Sequence, residues 1–285
     1  MNETVAVITD SIACLPKELI EKHRIEIVPI RLTFHGEIYR DSVDLTPSEA
    51  YEMLSKDPER FNTSPSSPGH FLEAYRKVSE RAQNIICITL SSKLSGGYNM
   101  ARVAMEEFKT ELPEVRIHVM DSMSVTSAEG FIALAAARAA EEGKNLEGVI
   151  KAAEEVREKV SFVALLETIK HVYRTGRIPK IASQVGSMLN IQPILTSVEG
   201  AIKFKGIAKN RESGINKLIE ILREAVGNQP AHIAVMHAYT PGEAEDLKAR
   251  IEKEFNCVEL WIAEFTPVMG YATGTGTLAL AYYHD

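Results

Sequence analysis

Two hydroxyl-rich segments have the residue types to hold an anionic oxygen: Thr63-Ser64-Pro65-Ser66-Ser67-Pro68 and Ser91-Ser92-Lys93-Leu94-Ser95-Gly96-Gly97-Tyr98. Each precedes a stretch that reads as a helix, and the second follows the apolar strand Ile85-Ile86-Cys87-Ile88-Thr89. A loop that opens a helix presents free backbone N–H groups and the positive end of the helix dipole. Hydroxyls added there make a place for a carboxylate or phosphate without a metal or a buried lysine. Ser and Pro also fill ordinary loops and caps, so the first segment alone reads equally as a turn. The second is the stronger candidate, because Gly96 and Gly97 let the backbone approach a ligand closely.

Other polar pairs are more ambiguous. Asp10-Ser11 and Asp121-Ser122 directly follow strand-like runs, where the C-terminal ends of a parallel sheet would bring them to one crevice. Helix capping explains them as well. Arg174 and Arg177, in the basic loop Tyr173 to Pro179, suit an anionic ligand or partner, or are solvated charges. Gly270 to Gly276 lacks the GxGxxG frame and reads as a tight turn before the strand-like Thr277 to Tyr283. No GxxxxGK[ST] phosphate cradle, GxSxG elbow, HExxH or paired Cys/His cluster occurs. Ser95 as a nucleophile has no assignable base, and His70, His171 and His237 read as capping, surface and core residues. No metal and no cofactor is expected.

The elements that must position these residues alternate. Strand signals at Val5 to Thr9, Glu26 to Phe34, Ile85 to Thr89 and Arg116 to Met120 are interleaved with helical stretches. The helices are at Leu15 to Ile20, Thr46 onward, Gly69 to Ala82, Tyr98 to Phe108 and Ser127 to Glu142. That rhythm predicts a mostly parallel sheet flanked by helices. Thr46-Pro47-Ser48-Glu49 carries a cap hydroxyl, an N1 proline and a glutamate three residues on, a strong helix start. After a helix from Leu146 to Lys159 the rhythm changes. Glu199-Gly200 links two strand-like runs as a hairpin, and helices near 211–225 and 242–255 alternate with strands near 232–237 and 258–264. The expected fold class is α/β, in two domains: an N-terminal one over 1–160 with a mostly parallel sheet, and a C-terminal one over 161–285 with a mixed or antiparallel sheet.

The 285 residues, 45% hydrophobic and 25% charged, describe an ordinary globular chain of the size at which one core gives way to two. A net charge of -7 argues against a general nucleic-acid binder, which would need a basic face, and leaves room only for a local basic patch. Cys14, Cys87 and Cys257 are scattered, as in a reducing compartment. Met1-Asn2-Glu3-Thr4 runs straight into Val5 to Ile8, with no signal-peptide pattern, and no apolar run is long enough for a membrane helix. A cytoplasmic location with at most transient membrane contact is expected.

Taken together, the chain resembles the DegV family of fatty-acid-binding proteins, the lipid-presenting subunits of bacterial fatty acid kinases. The resemblance rests on Thr9-Asp10-Ser11, Tyr39-Arg40-Asp41, Thr63 to Ser66, Ser91 to Gly96 and Asp121-Ser122. It continues through Gly176-Arg177-Ile178, Leu189 to Leu195 and Gly274 to Leu278. It implies a buried acyl tail, a carboxylate held by Thr63 and Ser95, and Ser64, Gly96, Thr273 and Gly274 beside it. Asp10, Ser11, Ser92, Asp121, Ser122, Arg174 and Arg177 are further crevice or partner contacts. It also implies a separate ATP-using kinase as partner. Two positions depart from the family: Ala272 stands where a histidine commonly precedes Thr273-Gly274, and Gly97 stands where threonine is usual. A binder of another amphipathic anion, and a serine-dependent acyl hydrolase, are the alternative readings.

Overall fold

The computed structural model describes residues 4–178 and 191–285; Met1 to Glu3, Pro179, Leu189 and Asn190, read above, lie outside the described residues. β1 (Ala6–Asp10), β2 (Glu26–Val28), β6 (Asn84–Thr89) and β7 (Arg116–Asp121) form a parallel sheet in the order β2-β1-β6-β7. Successive side chains of a strand point to opposite faces, so a sheet covered on both sides needs continuous apolar runs. Ala6, Ile8, Ile85 and Cys87 accordingly pack on α3 (Pro68–Ser79) and α4 (Gly97–Glu111). Val7, Ile86 and Ile88 face the other way, toward α5 (Ser127–Glu141) and α6 (Leu146–Lys159).

The second sheet is mixed. β8 (Ser161–Leu165), β9 (Gln192–Val198), β10 (Ala201–Ala208), β11 (Ala231–His237), β12 (Cys257–Glu264) and β13 (Leu278–His284) lie in the order β10-β9-β8-β13-β11-β12, and only β11–β12 pair in parallel. Val163, Leu165, Ile233 and Val235 pack on α8 (Arg211–Val226) and α9 (Pro241–Glu254). Phe162, Ala164, Ala234 and Met236 join the same core as Val7 and Ile86. Helices α5 and α6 are thus sandwiched between two sheets, which explains the alanines of α5: Ala128, Ala133, Ala136, Ala137 and Ala139 are all buried. Gly130 permits the closest approach, since a Cβ there would lie 2.6 Å from the Ala13 carbonyl oxygen. Among the described residues, no helix is long and apolar enough to cross a membrane.

Two expectations need correction. Glu26 to Phe34 is not one strand: β2 ends at Val28, and after Pro29 the chain enters β3 (Arg31–Phe34) of a separate antiparallel sheet, β4-β3-β5, with β4 (Glu37–Arg40) and β5 (Phe61–Ser64). Proline brings no N–H donor to a ladder, and the run breaks there. Gly270 to Thr273 is not a turn but the end of α10 (Pro267–Thr273); the turn follows, with Gly274 and Gly276 at φ 83° and 78°. The Thr46 helix start is α2 (Pro47–Lys56), with Thr46 and Glu49 exchanging capping bonds. The predicted hairpin joins β9 and β10, with Glu199 and Gly200 both at positive φ.

An ion-pair network fastens α5 to the edge of the second sheet. Arg138 donates two hydrogen bonds to Glu259, at 2.9 and 2.6 Å, and His232 Nδ1 lies 2.6 Å from the same carboxylate. Burial alone would raise the Glu259 pKa; the bonds from Arg138 and His232 overcome it and hold the group down at about 2. A depressed carboxylate stabilises the fold above its unfolded pKa and loses that contribution as pH falls through the folded one. Glu259→Gln is therefore expected to cost about 2 kcal/mol at pH 7, discounted for partial exposure of the pair. The gap from wild type in urea unfolding should narrow as pH falls from 4.5 toward 2.

Candidate functional site

A cavity with about 840 Å³ of empty space, its mouth to solvent included, lies where β5, the Ser91–Gly96 loop, β8, β9 and α10 meet. Its walls are mainly hydrocarbon: Val125 on one side, Phe162, Ala164 and Leu166 on another, Leu195 and Ile202 from the β9–β10 hairpin. The polar residues of its lining are Thr63, Ser64, Ser95, Thr175, Arg177 and Thr273.

Local structure explains how these meet. Thr63 and Phe61 share one face of β5, two residues apart. Phe61 stacks on Tyr271 of α10, with ring centroids 5.5 Å apart. Ser95 sits in the loop that opens α4, where the Leu94 carbonyl accepts a 2.8 Å hydrogen bond from Arg177 Nε. Arg177 is thereby drawn to the wall beside Ser95. Ser95 Oγ accepts from the Gly97 N–H at 3.4 Å, which leaves its own proton free. Among the described residues, the Thr63 and Ser64 hydroxyls have no protein hydrogen-bond partner, so they too can donate to a ligand. Thr273 lines the cavity but donates to the Met269 carbonyl at 2.9 Å. Gly96 caps α4 behind the wall, and Gly274 terminates α10.

The other candidates hold the loops rather than line the cavity. Asp10 accepts from the backbone N–H groups of Ile12 and Leu90, at 3.0 and 2.9 Å. Asp121 accepts from Ser92 N at 3.2 Å and Met123 N at 2.9 Å, and Ser122 bonds its neighbour Ser124. Ser11 donates to Asp41 at 2.6 Å and accepts from Ile30 N. Arg174 stacks over Tyr271, its guanidinium carbon 4.8 Å from the ring centroid.

Two residues were not among the site candidates read from the sequence, although Asp41 stands in the Tyr39-Arg40-Asp41 motif. Asp41, almost fully buried after β4, accepts from Val268 N at 3.2 Å and so holds the start of α10 against the first half of the chain. Tyr271 links Phe61 to Arg174. Thr266-Pro267, a cap residue before an N1 proline, was the available signal for α10. Burial raises Asp10 from its ordinary 3.8 to about 7 and Asp41 to about 6. Burial and neighbouring Asp10 raise Glu129, whose Oε1 accepts from Thr9 at 2.9 Å, well above the usual range. Among the described residues there is no cluster of three or more His, Cys, Asp or Glu side chains placed to hold a metal ion.

Fold and cavity together define an α/β protein with a parallel and a mixed sheet and a largely apolar pocket whose lining includes hydroxyls and an arginine. The chain belongs to the DegV family: the family model described as "Uncharacterised protein, DegV family" matches residues 4–285. A DegV domain-containing protein of Clostridium perfringens is 31% identical over 282 residues, 99% of each chain. Among solved structures, the fatty-acid-binding DegV protein of Bacillus subtilis has TM-score 0.89 at 28% identity, covering 99% of this chain and 100% of that one. A DegV family protein of Thermus thermophilus, described for its fatty acid binding, has TM-score 0.91 at 26% identity, covering 100% of both chains.

Proposed function

We propose that this chain binds a long-chain fatty acid, with the tail in the apolar cavity and the carboxylate hydrogen-bonded by Thr63 and Ser95. The observation that carries this reading is a largely hydrocarbon cavity whose lining includes hydroxyls with protons to give, those of Thr63, Ser64 and Ser95. Fatty acid binding by the Bacillus subtilis and Thermus thermophilus relatives supports it. Each buried methylene contributes about 0.8 kcal/mol, so a sixteen-carbon tail supplies on the order of 10 kcal/mol before ordering costs. Tail burial sets affinity and the hydroxyl wall sets orientation. On this reading residues 1–160 supply Thr63 and Ser95, residues 161–285 supply the facing wall, and the chain acts as a cytoplasmic carrier. It presents the carboxylate to a separate ATP-dependent fatty acid kinase rather than acting on it. A hydrolase role for Ser95 lacks support, since no histidine among the described residues hydrogen-bonds its hydroxyl.

Native mass spectrometry of gently purified protein, followed by solvent extraction, should recover a bound acid; a protein repeatedly empty and indifferent to added palmitate would sink the reading. Thr63→Val and Ser95→Ala should each weaken palmitate binding by about tenfold or more, as for a hydrogen bond to a charged group, and 1-hexadecanol binding by less. Equal losses for acid and alcohol would show that these hydroxyls do not read the head group.

A further inference from the structure

We propose that His171 is a head-group contact of this pocket, donating from Nε2 to the carboxylate of a bound acid. The inference rests on the fatty-acid reading above and adds to it a donor from a different element. His171 lies on the short helix α7 (Lys170–Arg174), whose next residue, Val172, lines the cavity, as does Thr175. Residues four apart share a helix face, so His171 lies on the side of Thr175. Its ring rests on Gly274, directly after the lining residues Ala272 and Thr273: a Cβ on Gly274 would lie 2.8 Å from Nε2. Ala272 itself brings no polar side-chain atom to that wall.

The neighbours fix which ring nitrogen carries the proton. Arg174 Nη2 lies 3.5 Å from His171 Nδ1, and a guanidinium can only donate. Nδ1 is therefore the acceptor and the ring proton sits on Nε2. Among the described residues, Nε2 has no hydrogen-bond partner. Of the charged groups around the ring, Lys170 and Arg174 are cations on its own helix, and α10 presents none. Glu167, packed on Gly276 of the same turn, is engaged by Arg211 at 3.1 Å and by Gln192 at 3.0 Å. Burial, Arg174 and Lys170 favour the neutral imidazole. A ligand carboxylate would supply the missing anion.

The test compares palmitate with 1-hexadecanol on the full chain, carrying His171→Phe or His171→Gln. His171→Phe should lose about tenfold in palmitate affinity and little for the alcohol. His171→Gln, which keeps an N–H donor, should recover most of that loss. In the wild type, NMR titration of the His171 ring should show its pKa rising when palmitate binds and staying put with the alcohol; this readout does not depend on any variant folding. A wild type that binds no palmitate overturns the fatty-acid reading and this inference with it. Normal palmitate binding with an unmoved His171 pKa, or with equal acid and alcohol losses in His171→Phe, overturns the inference alone.

Discussion

Ala164→Phe is expected to lower palmitate affinity by about 100-fold or more while leaving the apoprotein at least as stable as wild type. Ala164 lies on β8 with its side chain directed into the cavity, among Phe162, Leu166 and Leu195. A benzyl group there fills space that the acyl chain would occupy. Displacing about four methylenes removes about 3 kcal/mol of tail burial, or two orders of magnitude in Kd. The same group would overpack a dense core, at a cost of about 1–3 kcal/mol. Here it enters empty space and gains apolar contact instead. The pairing of lost binding with retained or raised stability is what distinguishes a ligand cavity from ordinary core. Isothermal titration with palmitate and urea unfolding of the ligand-free protein give the two numbers. Unchanged affinity would show that the tail takes another path, and a large loss of stability would show that the space at Ala164 is not available.

The parallel sheet was legible because its strands, buried on both faces, are apolar runs separated by helical periods, and β6 and β7 lie within a residue of their expected limits. What escaped was short and polar. Glu37-Ile38-Tyr39-Arg40 and Phe61-Asn62-Thr63-Ser64 carry too little hydrophobic pattern to read as strands, and tertiary contact alone orders them. That matters for the site, because Thr63 was read as a loop residue and is held on β5, a more rigid support. Ser95 and Arg177 could each be named from the sequence, but their proximity depends on the Leu94 carbonyl, which no side-chain pattern reveals. His171 read as a surface residue for the same reason: its contact is with a glycine over a hundred positions away. The long-range partners of Asp41 are likewise invisible, since a buried Asp and an exposed one are the same letter.

Asp10 should make the fold less stable as pH rises. Its carboxyl is fully enclosed, and burial is the largest influence, outweighing the bonds from Leu90 and Ile12 and lifting it from 3.8 to about 7. A group with a raised folded pKa binds its proton more tightly in the native state, so its contribution is complete below the unfolded value and is lost as pH climbs through the folded one. Between pH 5 and pH 8 that loss is about 3 kcal/mol for Asp10 and about half as much for Asp41, lifted to about 6. Histidines with lowered pKa values, His118, His171 and His237, push the other way at the acid end, so the raw profile mixes both signs. Asp10→Asn separates them. Asparagine does not titrate, and the cost of presenting an amide to one of two backbone N–H groups is the same at every pH. The difference in unfolding free energy between wild type and Asp10→Asn should therefore shift in favour of the variant by about 3 kcal/mol from pH 5 to pH 8. A constant difference would mean that folded and unfolded Asp10 carry the same charge from pH 5 to pH 8, that is, an ionised carboxylate in the folded protein. Because Leu90 and Ile12 both line the cavity, that charge would lie directly behind the wall on which the acyl chain rests.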